Sequence, residues 1–317
     1  MHTRHMWERR GEGGLRGGFA RYAGALAIVV AVAGCSGAGA AARQATSASA
    51  TTTPATTQVR PTKLLVVVLE NHAPDSVEQE MPQLSAQGRR YGTATAYYAL
   101  THPSLGNYLA IAGGTTFGVR DDDPPKRHRL SGRSVFGQGA AGTTRTYAEG
   151  MTEPCEQHDD GDYAVRHNPW TYFPDERTAC QRDDLPSGTP SAGALQRDLA
   201  AGRMPTFAML IPDLCNDAHD CELATSDRWL SPWLQAVQAG PDWKAGRLAV
   251  LVTFDEDDHT AGNRITAVLM HPSLHGVKVD RRLDHRDLSA SASRLLGGQP
   301  LREAAGRPGL LEAFGLA

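Results

Sequence analysis

Unbroken apolar runs of strand length punctuate this chain, and each one stops at polar residues. Leu64-Leu65-Val66-Val67-Val68-Leu69 is the first, and it ends at Glu70-Asn71-His72. A run of that length without polar alternation predicts a strand buried on both faces. Residues 206–211 repeat the pattern and end at Pro212-Asp213, residues 248–254 end at Asp255-Glu256-Asp257-Asp258, and residues 265–270 end at His271. Helical spacing of apolar positions predicts helices over 104–112, 192–201, 227–239, 288–296 and 309–314. Strands alternating with helices predict an α/β fold, a largely parallel central sheet flanked by helices. Ligands in such folds bind outside the carboxyl ends of the strands. This chain keeps its acids and histidines at those ends, and burial alone does not account for that.

One junction stands out. Residues 93–100 are β-branched and aromatic, and Leu105, Tyr108, Leu109 and Ala112 then recur at helical spacing. Ser104 falls between the two. A hydroxyl there lies near the free N–H groups of a helix, where an anion is stabilised. It is placed either to attack a phosphate or simply to cap the helix.

The first residues read as a targeting segment. Arg16 and Arg21 precede an apolar run, 22–33, that is too short to span a bilayer comfortably, and Val32-Ala33-Gly34-Cys35 resembles a bacterial lipobox. Residues 1–35 are therefore expected to be a signal peptide with Cys35 as the lipidated residue, a plain secretory signal cut near Ala40 or Ala42 being the alternative. Residues 36–62, rich in Ala, Thr and Ser, lack the apolar side chains needed for order and read as a tether. The remainder, 63–317, is long enough for one sizeable domain. Within it, 121–190 has little periodicity and is expected to form a loop-rich cap.

A formal net charge of −3 gives no basic surface of the kind nucleic acids select. Besides Cys35 the chain has Cys155, Cys180, Cys215 and Cys221. An even number in an exported chain points to disulfides, and the local pairings Cys155–Cys180 and Cys215–Cys221 are preferred. A structural zinc site is the alternative, disfavoured because no CxxC pair is present.

Acidic residues that end separate strands of one sheet converge at its edge. Carboxylates forced together raise one another's pKa unless a cation neutralises them. Asp, Glu and His together suit a divalent metal ion, which would lower the pKa of Ser104 and polarise phosphoryl oxygens.

Several ordered blocks carry a resemblance. They are Val66-Val67-Val68-Leu69-Glu70-Asn71-His72, Thr101-His102-Pro103-Ser104-Leu105-Gly106-Asn107-Tyr108, Tyr147-Ala148-Glu149-Gly150-Met151 and Arg166-His167-Asn168-Pro169-Trp170. Asp213-Leu214-Cys215-Asn216-Asp217-Ala218-His219-Asp220-Cys221, Thr253-Phe254-Asp255-Glu256-Asp257-Asp258 and Leu283-Asp284-His285-Arg286-Asp287 complete the series. The chain resembles the bacterial phosphoesterase family of secreted acid phosphatases and phospholipases C, a branch of the alkaline phosphatase superfamily, most of all the actinobacterial acid phosphatases.

The resemblance implies an alkaline-phosphatase-like fold and names a role for each residue. Ser104 is the expected nucleophile, and Asn107 the donor to a non-bridging oxygen. Glu70, Asp217, Asp255 and Glu256 are the expected metal ligands, with Asp213 a companion. Asn71 and His167 are expected to touch phosphate, and His219 or His285 to protonate the leaving alcohol. Two positions depart from the family: Gly106 replaces a proline, and Arg264 stands where relatives often carry histidine.

The expected activity is that of an exported acid phosphatase, which hydrolyses phosphate monoesters of small molecules or lipids, phosphoinositides included, through a phosphoserine. Its acidic working pH rests on the resemblance alone. A phospholipase C-type phosphodiesterase is the near alternative, and a catalytically inactive ligand-binding lipoprotein on the same fold the distant one. Membrane contact is expected through a lipid on Cys35.

Overall fold

A computed structural model describes residues 59–317. The expected signal peptide, and the tether up to residue 58, lie outside the described residues. The domain engages slightly earlier than expected: Pro61 is buried, and the Thr62 N–H donates to the Arg247 carbonyl at 2.9 Å. Among the described residues no helix is long and apolar enough to cross a membrane.

Among the described residues nine strands form a single sheet. They are β1 (Lys63–Leu69), β2 (Gly92–Tyr98), β3 (Thr144–Ala148), β4 (Asp184–Pro186), β5 (Phe207–Ile211), β6 (Leu248–Phe254), β7 (Arg264–Met270), β8 (Val277–Val279) and β9 (Leu283–Asp284). Their order is β4-β3-β5-β1-β6-β7-β2-β8, with β9 also pairing β2. Every pairing is parallel except the two made by β7. That exception follows from chain length, because the short acidic segment 255–263 returns β6 directly to β7 with no crossover helix. β1 lies at the centre between β5 and β6, and all residues of β5 and β6 are buried, as their unbroken apolar runs require.

Because β1, β2, β3, β5 and β6 run the same way, their carboxyl ends share one edge of the sheet. Backbone bonds tie that edge together: the Glu70 N–H donates to the Asp217 carbonyl at 2.8 Å, and the Asp255 N–H to the Leu69 carbonyl at 2.9 Å. Segment 121–190 differs from expectation. It contributes β3 and β4 to the sheet, together with helix Arg177–Asp183 and three short 3-10 turns. β3 (Thr-Arg-Thr-Tyr-Ala) opens on three polar residues, so it carries no unbroken apolar run to give it away. Cys155 is linked to Cys180 and Cys215 to Cys221, the preferred pairings.

Helix Leu105–Gly113 is buried along its whole length and ends on Gly114, whose φ of 74° suits a residue without a Cβ. Gly106 has its own reason. A Cβ there would sit 2.6 Å from Thr101 Cγ2 and 3.2 Å from the Val119 carbonyl oxygen. The glycine lets the turn before the helix fold tightly against its first residues.

Candidate active site

Ser104 does not cap its helix. Its backbone is already helical (φ −48°, ψ −51°), and its side chain makes no capping bond, whereas an N-cap residue has extended dihedrals and accepts from the first turn. The Leu105 N–H instead donates to Asp122 Oδ1 at 3.0 Å. The Ser104 hydroxyl is left to donate to Glu70 Oε2 at 3.0 Å, and the Tyr108 hydroxyl, one turn along, donates to the other oxygen of Glu70. Ser104 is 3% exposed and Glu70 fully buried. Strand β1 delivers the carboxylate, helix Leu105–Gly113 delivers both hydroxyls, and the two elements meet at the sheet edge.

A closed circuit of contacts surrounds this pair. Glu70 Oε2 lies 3.3 Å from His167 Nε2, and His167 Nδ1 lies 3.2 Å from Asp217 Oδ2. Asp217 Oδ1 accepts from the His219 N–H at 2.7 Å, and His219 Nε2 lies 3.2 Å from Arg166 Nη2. Arg166 Nε is 4.0 Å from Asp122 Oδ2, and Asp122 returns to Leu105 beside Ser104. The inner members are sealed, and the opening lies at the outer ones, whose side chains are 17% (Arg166), 33% (Asp122) and 32% (His219) exposed.

The inner group has the chemistry of a cation site. Glu70, His167 and Asp217 are all buried, and each offers a ligand atom within 4.8 Å of the others. Although His167 Nε2 and Asp217 Oδ2 face neighbours at about hydrogen-bond distance, neither makes a hydrogen bond, and Asp255 Oδ2 and Asn71 Oδ1 are likewise buried without a partner. Buried polar atoms almost always find partners, so four such atoms around one carboxylate fit a divalent ion. The electrostatics agree. Burial, then the charges of Asp255 and Asp217, hold the Glu70 carboxyl well above its ordinary range. Burial pushes Asp217 and Asp255 each up to about 7. Burial, then the charges of Arg166 and His219, holds His167 well below the ordinary imidazole range, leaving it neutral as a ligand must be.

The other expected site residues fall around this group, several in different places from those foreseen. Asp255, at the end of β6, accepts from the Asn71 N–H at 3.2 Å. His167, expected on phosphate, stands between Glu70 and Asp217. Glu256, expected on the metal beside Asp255, turns instead to His102 Nδ1 at 2.9 Å and Asn107 Nδ2 at 3.0 Å. Asn107, expected to donate to the substrate, spends both amide hydrogens on Glu256 and the Thr101 carbonyl, and its oxygen accepts from Leu100 and Thr101 N–H. It therefore locks the turn before Ser104. His285 is buried, with Nε2 2.7 Å from the Asp255 carbonyl and Nδ1 3.3 Å from the Tyr97 hydroxyl, so both nitrogens are occupied away from the opening. Asp213 accepts from the N–H groups of Cys215 and Asn216 and shapes the loop. Arg264 lies 3.5 Å from Asp75 at the surface, outside the circuit.

Four residues of this site carry no role expected from the sequence: Tyr108, Asp122, Arg166 and His102. Tyr108 counted as one of the apolar helix positions, although its hydroxyl was the available signal. Asp122 sits in an aperiodic stretch that offered none.

A family model, the Phosphoesterase family, matches residues 62–267, which takes in Glu70, Ser104, Arg166, His167, Asp217 and Asp255. The chain belongs to the Phosphoesterase family. It is a phosphoric ester hydrolase. The family's relatives include a protein named phosphatidylinositol-3-phosphatase from Mycobacterium tuberculosis, 25% identical over 264 residues that cover 80% of this chain and 82% of that protein. An acid phosphatase from Aspergillus fumigatus is 27% identical over 233 residues, 69% of this chain and 50% of the relative. The chain thus spans about half the length of that fungal relative. A solved structure of a Vibrio parahaemolyticus protein in the alkaline phosphatase superfamily shares the fold with a TM-score of 0.54 at 14% identity, covering 81% of this chain and 72% of that one. The lipoteichoic acid synthase LtaP from Listeria monocytogenes does so with a TM-score of 0.54 at 11% identity, covering 76% and 75%.

Proposed function

We propose that this protein is an exported phosphomonoesterase in which Ser104 attacks phosphorus and carries the phosphoryl group as a phosphoserine. The observation that carries the proposal is the 3.0 Å bond from the Ser104 hydroxyl to Glu70, inside a buried group of carboxylates and histidine. Glu70, His167 and Asp217, with Asp255, would hold a divalent cation. When bound, it would lower the pKa of the Ser104 hydroxyl and offset charge on the phosphoryl oxygens.

Attack forms the Oγ–P bond and breaks the bond to the leaving alcohol oxygen. The Ser104 proton leaves along its bond to Glu70. The leaving alcohol takes a proton from protonated His219 at the opening; water then attacks the phosphoserine and gives its proton to His219, while Ser104 recovers its own from Glu70. Asn107 holds the turn before Ser104 and Asp122 holds Leu105 after it, so the hydroxyl is positioned before substrate arrives.

The relative named phosphatidylinositol-3-phosphatase makes phosphoinositides a substrate class to try first. Export is supported by the lipobox-like Val32-Ala33-Gly34-Cys35 and by the two disulfides, which persist in oxidising compartments. Mass spectrometry of the membrane fraction would test for acylation of Cys35.

The test of the reaction compares a phosphomonoester, a choline phosphodiester and a phosphoinositide as substrates for the wild type and Ser104→Ala. The monoester should turn over in the wild type alone, and acid quenching should leave phosphate on the peptide that contains Ser104. Turnover of the diester alone would overturn the monoesterase reading, and activity retained by Ser104→Ala would overturn the nucleophile.

A further inference from the structure

A net charge of −3 gives this chain no general basic surface, yet its cations are not spread evenly. Residues 126–129 read Lys-Arg-His-Arg, and Lys126, Arg127 and Arg129 are all exposed. The run starts four residues beyond Asp122, the carboxylate at the opening of the site, so the Lys126 backbone lies within roughly 14 Å of it. We infer that loop 124–130 is a docking surface for an anionic phospholipid bilayer, which holds the opening beside a phosphate ester carried on a lipid headgroup. The inference rests on the phosphomonoesterase reading above and deepens it, naming a lipid-borne monoester as the substrate class.

The loop is a fixed projection. Its two ends meet at the buried Tyr172, whose hydroxyl donates to the Asp123 carbonyl at 3.1 Å and whose carbonyl accepts from the Leu130 N–H at 3.0 Å. Between those ties the Pro124 carbonyl accepts from the Arg127 N–H at 2.8 Å, closing a tight turn with Pro125 and Lys126 at its centre. Proline at the first central position presets such a turn. His128 bonds to Asp121 across the base of the loop. The tip is therefore ordered before a partner arrives, and docking costs little loop entropy. The neighbouring acids are already occupied: Asp121 by His128, Asp122 by the Leu105 N–H, and Asp123 by Arg127 at 3.5 Å. Among the described residues the Lys126 and Arg129 side chains make no ion pair. Such a tip suits a flat anionic surface better than a nucleic acid. Its cations can meet a plane of headgroups together, whereas a polynucleotide calls for a stripe of cations along its backbone, and here three aspartates interrupt one.

The test uses the full chain carrying Cys35→Ala, so that no lipid on that residue contributes. This parent is compared with a triple variant that adds Lys126→Gln, Arg127→Gln and Arg129→Gln. Sedimentation measures binding to vesicles of phosphatidylcholine alone and of an equimolar mixture of phosphatidylcholine and phosphatidylglycerol. The parent should bind the mixed vesicles more tightly than the neutral ones, and added salt should weaken that binding. The triple variant should bind the mixed vesicles about a hundredfold more weakly, the scale for three cations at an anionic surface. Its kcat/KM on phosphatidylinositol-3-phosphate embedded in mixed vesicles should fall as well. On soluble p-nitrophenyl phosphate it should stay near the parent value, because none of the three side chains belongs to the circuit around Ser104.

The ratio of embedded to soluble turnover is independent of how much of each preparation is folded. Equal binding of neutral and mixed vesicles by the parent, or equal binding of mixed vesicles by parent and triple variant, would overturn the docking surface. An equal fall on the embedded and the soluble ester would overturn its part in presenting the lipid, and capture of a fluorescent oligonucleotide without capture of vesicles would assign the cations to another partner. A parent that hydrolyses neither ester yet binds mixed vesicles through the three cations would refute the proposed function and leave the docking surface standing.

Discussion

Cys215–Cys221 closes a loop of sequence separation 6 that carries Asp217 and His219, and this makes it a device for the site more than for the fold. On a chain-entropy estimate, cross-linking so short a loop is worth about 2 kcal/mol, and the link of separation 25 between Cys155 and Cys180 about 3.5 kcal/mol. What differs is the support each loop has without its link. The longer loop contains Val165, Trp170, Tyr172 and Phe173, all buried, so packing holds His167 in place. Between residues 213 and 221 the only buried apolar side chain is Ala218. Freed of its link, that loop is held by polar bonds alone, among them those to Glu149, the Glu70 N–H on the Asp217 carbonyl, the Leu214 N–H on the Asp162 carbonyl, and its own turn bonds. Replacing Cys215 and Cys221 with serine should therefore lower Tm by roughly 4–8 °C. Its main effect should be to weaken retention of the divalent ion, by up to about thirtyfold if the whole 2 kcal/mol is spent on ordering Asp217. Replacing Cys155 and Cys180 should lower Tm at least as far and leave metal retention near wild type. The assay is residual activity against chelator concentration, read beside a thermal melt. Equal chelator sensitivity in the Cys215/Cys221 variant and the wild type would refute the argument.

Four further outcomes are expected. Tyr108→Phe removes a charge-assisted bond to Glu70, a loss of about 1.5–3 kcal/mol, and lets the Glu70 carboxyl rise further, so the acidic limb of the kcat/KM profile should move to higher pH; an unmoved limb would count against it. Glu149→Gln puts an amide donor among the donors Asn216 Nδ2, Asp213 N–H and Trp229 Nε1, so kcat should fall with a Tm loss of several degrees; an unchanged kcat would show that the loop does not need Glu149. Burial raises Asp184 from 3.8 to about 7, so its contribution to stability is complete below pH 3.8 and is lost as pH rises through about 7; Asp184→Asn should remove that pH dependence, a change in unfolding free energy of up to about 4 kcal/mol across the window, measured by melts at each pH. Asp217 and Asp255 are raised in the same direction, so chelated protein should lose stability from pH 4 to 7 and metal-loaded protein should not; parallel melting curves would exclude a cation there.

Much of the fold was legible because it depends on long apolar runs. β6 begins and ends where its run does, and β1, β5 and β7 differ from theirs by a single residue. β3 and β4 were not legible. β3 places Arg145 and the Tyr147 hydroxyl on Asp198, and β4 is three residues long, so neither has a run to read. At the site, the rule that strand ends gather acids brought Glu70, Asp217 and Asp255 to one edge. Which way each side chain turns was beyond that rule. Glu256 and Asp255 are adjacent, and neighbouring residues leaving a strand point in different directions, so one faces the inner group and the other faces Asn107. Arg166 and Asp122 come from an aperiodic segment, and only the tertiary path carries them to Ser104.

The arrangement of polar bonds around Ser104 explains how a serine at a helix start escapes the capping role that its position invites. Leu105 N–H needs an acceptor, and Asp122 supplies one from outside the helix. The turn that leads into the helix needs its own N–H groups satisfied, and Asn107 accepts from Leu100 and Thr101 while donating back to Thr101. With those demands met elsewhere, the hydroxyl has no backbone partner to gain and points instead at Glu70. Gly106 contributes by leaving room for Thr101, so the turn and the first helical residues can close on each other. The Ser104 hydroxyl, the nucleophile proposed above, is thus oriented by bonds made within the folded chain. That orientation is established when the chain folds, so none of its cost falls on the transition state.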